Sequence, residues 1–151
     1  MNTKISEKVI RHEWSANQAY LWQMAQGNCT PFYHQILLQF STPHTVVEVK
    51  KALELVMEKQ TILTARLAVS SSKELPEQYS SPAQAFNFGE ITINDSDLAD
   101  RIAEWMNTTM HGTLDALKVC LVNDGEQVRE LHLRLISLWG DTYSLAFLIE
   151  Q

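Results

Sequence analysis

The strongest structural signal of this chain is residues 131–148, which read Leu-His-Leu-Arg-Leu-Ile-Ser-Leu-Trp-Gly-Asp-Thr-Tyr-Ser-Leu-Ala-Phe-Leu. The first half alternates leucine with polar side chains, which is the pattern of a half-buried strand. Gly140 and Asp141 interrupt that pattern, and an apolar helical pattern begins behind them. The segment therefore predicts a strand, a short loop and then a helix from about Tyr143 that buries Leu145, Leu148 and Ile149. Asp141 stands where its carboxylate can cap that helix.

The residues just upstream predict a partner for this strand. Residues 117–122 are largely apolar and lead into Asn123-Asp124-Gly125. An Asp-Gly pair between two apolar runs is a strong hairpin signal, so residues 117–122 and 128–136 should pair as antiparallel strands. Because side chains alternate along a strand, one face should be buried and one polar. The buried face carries Leu131, Leu133 and Leu135, and the other face carries Glu130, His132, Arg134 and Ile136.

Three helices are predicted before the hairpin. Capping boxes pair Ser15 with Gln18 and Thr45 with Glu48. They predict a helix over residues 16–26, with Gly27 as its C-cap, and a second helix that ends near Lys59. A third helix should begin at the polar, acidic run 94–97, since acidic side chains suit the positive end of a helix dipole. Its buried stripe should be Leu98, Ile102, Trp105 and Met106.

Three further strands are predicted, over residues 32–40, 62–68 and, from a weaker pattern, 85–93. The loop-like run 70–76 is interpreted as a surface excursion because the apolar segments on both sides of it need partners. Helices mixed with strands and an antiparallel hairpin indicate the α+β or mixed α/β class. A chain of 151 residues is most simply one domain.

Composition excludes several classes of function. The formal net charge of −6 argues against nucleic-acid binding, which depends on clustered lysine and arginine. The sequence contains no run of about 18 apolar residues, the length that could span a membrane. Its polar first residues lack the apolar region of a signal peptide. Cys29 and Cys120 form no CxxC motif, which favours free thiols in the cytoplasm. Five scattered histidines show no paired ligand spacing, so no metal site is expected. They are His12, His34, His44, His111 and His132.

The order of these elements, together with several short motifs, resembles the condensation domains of nonribosomal peptide synthetases. The matching motifs are Ser15-Ala16-Asn17-Gln18 before Leu21-Trp22, Tyr33 before Ile36-Leu37-Leu38, residues 59–65, Pro76-Glu77-Gln78, and residues 114–119 at the entry to the hairpin. The resemblance implies a chloramphenicol-acetyltransferase-like half-domain over residues 1–151. In that fold, a mixed sheet carries packed helices, and this chain would correspond to the N-terminal of two similar lobes.

Residues 131–148 also carry the resemblance. The family ends this strand with two histidines, three loop residues and Asp-Gly, usually followed by an aromatic residue and serine. Asp141, Tyr143 and Ser144 match that pattern, whereas Thr142 replaces the glycine. Ile136 and Ser137 stand at the two histidine positions. Thr64 stands where the family has an arginine that is expected to support the aspartate.

These departures bear on catalysis, because the resemblance ties amide-bond formation most closely to the second histidine. Ser137 occupies that position. It is not part of a GxSxG elbow, and the sequence places no base within its reach. His132 is five residues earlier on the same strand, which is about 17 Å away at 3.3 Å per residue. We therefore predict no catalytic residue, interpret Asp141 as a structural cap, and expect no cofactor. A carrier protein's phosphopantetheine arm is a possible ligand that the resemblance implies.

The sequence supports two functional hypotheses from different classes. The first is a truncated, catalytically inactive condensation-domain-like module that binds a carrier protein or a neighbouring synthetase subunit. The second is the N-terminal lobe of a split acyltransferase, or a piece of a longer one, that forms amide or ester bonds when a C-terminal lobe completes it. A remnant with no role beyond folding is a third. A lone lobe would leave its apolar wall uncovered, so we also expect a two-fold dimer whose contact includes Trp139 and the last helix.

Overall fold

The computed structural model describes residues 10–24, 33–68, 75–82, 86–94, 96–108, 113–140 and 142–150. Four helices and eight strands lie within these residues. In chain order they are β1 (Ile10–His12), α1 (Ala16–Met24), β2 (Tyr33–Gln39), α2 (Val46–Lys59), β3 (Ala65–Ala68), β4 (Glu77–Ser80), β5 (Gly89–Thr92), α3 (Leu98–Asn107), β6 (Thr113–Asp115), β7 (Leu117–Asn123), β8 (Val128–Ile136) and α4 (Thr142–Ile149). A short 3-10 helix, Thr61–Thr64, joins α2 to β3.

The strands form two four-stranded sheets rather than the one sheet that we expected. The first sheet has the order β1-β4-β3-β6, and the second has the order β2-β8-β7-β5. The second sheet is mixed, since β5 runs parallel to β7 while the other neighbours are antiparallel. The chain passes from one sheet to the other at Ala116, whose N–H donates to Ala65 and whose carbonyl accepts from Ile136. The predicted α/β class, with a mixed sheet and packed helices, is confirmed.

The hairpin of β7 and β8 is confirmed in its register and in its turn. Leu133 lies opposite Val119. Gly125 has a φ of 103°, a backbone conformation that other residues rarely adopt. The Asp124 carboxylate accepts hydrogen bonds from the N–H groups of Glu126 and Gln127 at 3.1 and 2.9 Å. The turn therefore satisfies its own backbone with nearby side chains.

The larger core lies between the second sheet and the helices α2 and α4. The leucines predicted for the buried face of β8 are 4%, 2% and 1% exposed at Leu131, Leu133 and Leu135, which confirms the predicted register. They pack with Val49, Leu53 and Met57 of α2 and with Leu148 of α4. The spacing of the α2 residues follows the helical repeat, so the helix presents one continuous apolar stripe to the sheet.

Helix α3 covers part of the opposite face of the same sheet. Its Met106 packs with Ile91 and Cys120, and the remaining members of the predicted stripe, Leu98, Ile102 and Trp105, pack around them. The indole of Trp105 lies so close to Gly89 that a Cβ there would be 2.5 Å from it. Cys120 is fully buried, and loss of solvation raises the pKa of its thiol to about 11.

Both predicted capping boxes are present. The Gln18 N–H donates to Ser15 Oγ at 3.1 Å and the Ser15 N–H donates to Gln18 Oε1 at 3.0 Å. Thr45 and Glu48 exchange the same pair of bonds at 3.2 and 2.8 Å. These bonds satisfy N–H groups that the first turn of a helix leaves without partners.

Several element bounds differ from the predictions. The predicted strand 62–68 begins only at Ala65, because the chain leaves α2 through a 3-10 turn in which Leu63 N–H donates to the Gln60 carbonyl. The predicted strand 85–93 is limited to β5. Ile149 is 39% exposed and is not part of the core as predicted, whereas Leu148 is buried. The C-cap Gly27, the thiol of Cys29 and the side chain of Leu145 lie outside the described residues.

Candidate functional site

The turn that follows β8, residues 137–140, lies at the junction of the two sheets. Ile136 ends the strand, is buried, and donates its N–H to Ala116, the residue at which the chain changes sheets. The Trp139 N–H then donates to the Ile136 carbonyl at 3.0 Å and closes the turn. The histidine position that the resemblance implies is therefore an ordered place between two sheets, and Ser137 occupies it.

Two glutamines from distant parts of the chain hold this turn. Gln18 of α1 donates to the Leu138 carbonyl at 2.9 Å. Gln78 of β4, which is 2% exposed, accepts a hydrogen bond from Trp139 Nε1 at 3.0 Å. The two glutamine amides also lie in mutual hydrogen-bond contact, at 3.3 and 3.4 Å. One network of neutral groups thus connects the turn with two of the motifs that carry the resemblance, Ser15–Gln18 and Pro76–Gln78.

The hydroxyl of Ser137 is not hydrogen-bonded to a base among the described residues. Its side chain is half-buried, and no described residue shares a hydrogen bond with its hydroxyl. The imidazole of His132 is engaged on its own strand, where Nε2 lies 3.0 Å from Glu130 Oε2. A serine hydroxyl needs a base within hydrogen-bond reach to act as a nucleophile or to pass on a proton. Among the described residues, Ser137 has no such hydrogen bond.

Gly140 and Thr64, which the resemblance also singles out, pack closely against neighbouring groups. Position 140 requires glycine because neighbouring side chains approach its Cα closely. A Cβ there would be 2.5 Å from Leu135 Cδ2 and 3.0 Å from Ser144 Cβ. Thr64 is buried, and its hydroxyl donates to the Thr61 carbonyl at 2.8 Å within the 3-10 turn. It cannot supply the positive charge that an arginine would bring. Asp141 lies outside the described residues, so its predicted capping role stays a prediction.

The polar face of β8 is hydrogen-bonded rather than free. Besides the contact of His132 with Glu130, Arg134 Nη1 donates to Asn107 Oδ1 at 3.1 Å. The Arg134 guanidinium also lies 5.0 Å from the ring centroid of Tyr33. Burial lowers the pKa of Arg134 from its usual value. The partners of Arg134 come from β2 and α3, so the pattern of β8 alone does not predict them.

The other face of the sheet bears an apolar groove of about 440 Å³ between α2 and α4. Its walls include Leu38, Leu53, Val56 and Leu148, and its rim includes His44, Glu48 and Lys59. Beside it, α4 exposes Phe147, which is 54% accessible. Trp139 lies in the turn after β8 and is half-buried. It packs against the larger core and against Leu67, Ile136 and Leu138, and its indole N–H is hydrogen-bonded to Gln78.

The described residues have neither of two other types of site, a metal site and a membrane-spanning helix. They contain no group of three or more His, Cys, Asp or Glu side chains that could hold a metal ion. They also contain no helix that is long and apolar enough to cross a membrane.

Comparison of the structure with solved proteins finds condensation domains. The chain is similar to the first condensation domain of the calcium-dependent antibiotic synthetase, with a TM-score of 0.63, 19% identity, and coverage of 93% of this chain and 36% of that one. A structure of the complex of the X-domain and OxyB from teicoplanin biosynthesis matches with a TM-score of 0.70 and 19% identity, over 93% of this chain and 31% of that one. A condensation-domain structure from the enacyloxin polyketide synthase matches with a TM-score of 0.67 and 15% identity, over 93% and 28% of the two chains.

These similarities show the fold. The chain has the fold of about one third of a condensation domain, since it spans 28–36% of the three matched chains. The resemblance found in the sequence is thereby confirmed for the fold. No protein-family model and no curated protein matches the sequence.

Proposed function

We propose that this chain is a catalytically inactive, condensation-domain-like module of a cytoplasmic assembly line for peptide or mixed peptide–polyketide products. Its role is to bind a carrier protein, whose phosphopantetheine arm is a possible ligand, or a neighbouring synthetase subunit. The observation that carries the proposal is Ser137, which follows the end of β8 and whose hydroxyl is hydrogen-bonded to no base among the described residues. A positioned acid or base is typically worth about 10²–10⁴-fold in rate.

The binding part of the proposal rests on the surface beside the turn. Helix α4 begins directly after the motif and exposes Phe147 and Ile149, and the apolar groove opens next to it. Apolar surface of this kind is a common feature of protein interaction sites. One of the similar structures is, by its name, a complex of an X-domain with OxyB, so a protein of this fold does engage a protein partner.

The catalytic part is tested by mass measurement of acyl transfer between two loaded carrier proteins. We expect no product above background from this chain, with or without Ser137→Ala. Product that disappears on Ser137→Ala would contradict the proposal. Adding a candidate C-terminal lobe tests the alternative of a split condensation or cyclisation enzyme, which the partial coverage of the matched chains favours. Product formed only with that lobe would establish the alternative.

The binding part is tested with two exposed apolar residues. Phe147→Glu on α4 should abolish binding of a phosphopantetheinylated carrier protein, measured by calorimetry. Val47→Glu is the matched control, because Val47 is 76% exposed at the start of α2 and an acidic residue suits that position. Equal binding by both variants would remove α4 from the interface. Absence of binding by the native chain would remove the carrier protein as its partner.

We also propose that the chain forms a two-fold dimer through α4, since a lone lobe retains a surface of the kind that pairs with a similar lobe. Light scattering at micromolar concentration should give about twice the 17.2 kDa of one chain. Phe147→Glu should return it to a monomer, and Val47→Glu should not. A native mass near that of one chain would refute the dimer.

A further inference from the structure

The strands β7 and β8 place two cations opposite each other on the same face of the sheet. Lys118 and Arg134 are direct partners in the antiparallel register. Lys118 is 6% exposed, and Arg134 is half-buried. Like charges directly opposite each other on adjacent strands destabilise a sheet, and burial increases the cost. Such a pair needs a compensating group.

The protein compensates these charges only in part. Lys118 Nζ donates to the Trp105 carbonyl at 3.1 Å and lies 4.5 Å from the centroid of the Trp105 ring. Arg134 has Asn107 and the ring of Tyr33. These partners are neutral dipoles and aromatic faces, so they offset the cost of burial without neutralising either charge.

One carboxylate lies close to the pair, and it already has another partner. Asp115 Oδ1 lies 3.0 Å from Arg66 Nε and forms an ion pair with it. Burial raises the pKa of Asp115, whereas the charges of Arg66 and Lys118 lower it. Asp115 therefore serves both Arg66 and Lys118 as a counter-charge, and Arg134 forms no ion pair with a described carboxylate.

The side chain of Arg134 also retains an unused donor. Its Nε is buried and has no hydrogen-bond acceptor among the described residues. Buried polar atoms in native proteins nearly always have a partner, and a bound ion is one of the ordinary explanations when none is seen. The adjacent Tyr33 is 41% exposed, so this end of the pair borders solvent.

We propose that Lys118 and Arg134 form a binding site for a phosphoryl dianion, at the face of the sheet opposite the apolar groove. Lys118 and Arg134, with a single carboxylate nearby that also pairs with Arg66, leave an excess of positive charge, which suits the two negative charges of a phosphate group. The guanidinium of Arg134 can present adjacent N–H groups to two phosphate oxygens, and Lys118 supplies a point charge. The site does not depend on whether the chain binds a carrier protein.

The test uses the full chain with sodium phosphate, at an ionic strength matched by sodium chloride. Calorimetry should detect phosphate binding, and the Tm should be higher in phosphate than in chloride. Arg134→Gln should weaken phosphate binding at least about tenfold, the effect of losing one charge-assisted contact. Arg129→Gln is the matched control, because Arg129 pairs with Asp124 at the other end of β8 and should leave binding unchanged.

A substitution of opposite sign keeps the test decisive if Arg134→Gln folds poorly. Asp115→Asn removes the nearby negative charge, so it should strengthen phosphate binding several-fold. Glycerol 3-phosphate assigns the source: tighter binding than inorganic phosphate indicates an organic phosphate ester, and weaker binding indicates the free anion. No phosphate-specific rise in Tm, equal binding by Arg134→Gln and Arg129→Gln, or acetate binding as tight as phosphate would overturn the proposal.

Discussion

The two ends of the β7–β8 hairpin are built in different ways. At the turn end, Asp124 bonds to groups two, three and five residues away, so the structure is local. At the junction end, the turn after Ile136 is held by Gln18 and Gln78, which lie 120 and 61 residues from their partners. The first end depends on its own few residues. The second exists only when both sheets and α1 have assembled.

The largest expected loss of stability comes from a substitution in β8, the strand between the two ends. Leu133→Ala should lower the free energy of unfolding by about 2–5 kcal/mol, because a 2%-exposed leucine at the centre of the core leaves a cavity when it is truncated. Denaturant unfolding gives the value. Leu37→Ala on the neighbouring strand is the control, since Leu37 is 47% exposed. Equal losses from the two variants would contradict the assigned faces.

At the junction end, Gln78→Ala should cost about 1–3 kcal/mol, because the Trp139 indole N–H and the Gln18 amide lose a buried partner. Gln39→Ala, at an exposed position of the edge strand β2, should cost little. The coupling between Gln78→Ala and Gln18→Ala in a double-mutant cycle measures the network itself. Strict additivity of the two changes would show that the glutamines stabilise the turn independently.

A glycine lies just beyond each end of β8, and substituting the two glycines should destabilise the protein for different reasons. Gly140→Ala should cost about 1–3 kcal/mol through overpacking against Leu135, so Leu135→Val should relieve part of the loss. Gly125→Ala should cost about 1–2 kcal/mol through its positive φ alone, since nothing lies within 4 Å of an added Cβ. Denaturant unfolding of the singles and doubles separates the cases. Relief of Gly125→Ala by Leu135→Val would refute the distinction.

The smallest effect is a pH dependence at the turn end. Backbone N–H groups of Gln127 and Glu126, with Arg129, lower the pKa of Asp124 from 3.8 to about 2. Because the folded pKa is the lower one, the stabilisation is present above pH 3.8 and is lost as the pH falls towards 2. Asp124→Asn should therefore flatten the stability profile between about pH 4 and 2. Asp100→Asn, at the exposed start of α3, should preserve the native slope, and the same flattening there would refute the assignment.

The same contrast explains what could be predicted from the sequence. The hairpin, both capping boxes and the leucine face were predicted correctly because each depends on residues a few positions apart. The division into two sheets, the parallel pairing of β5 and the 3-10 turn before β3 were not, because they depend on packing between distant segments. For the site, the resemblance located Ser137 and Gly140 on the turn. The glutamine network and the Lys118–Arg134 pair could not be predicted, since their members come from separate strands and helices.

The burial of Cys120 at the centre of the second sheet makes its thiol a probe of how often the structure opens. Its thiol is inaccessible and its pKa is raised to about 11, so a thiol-reactive reagent at neutral pH can modify it only when the sheet separates from α3. In a Cys29→Ser background, the labelling rate of Cys120 would report how often the middle of the molecule comes apart. Comparison of that rate with the free energy of global unfolding would show whether the α3 side of the sheet opens on its own or only when the whole domain unfolds.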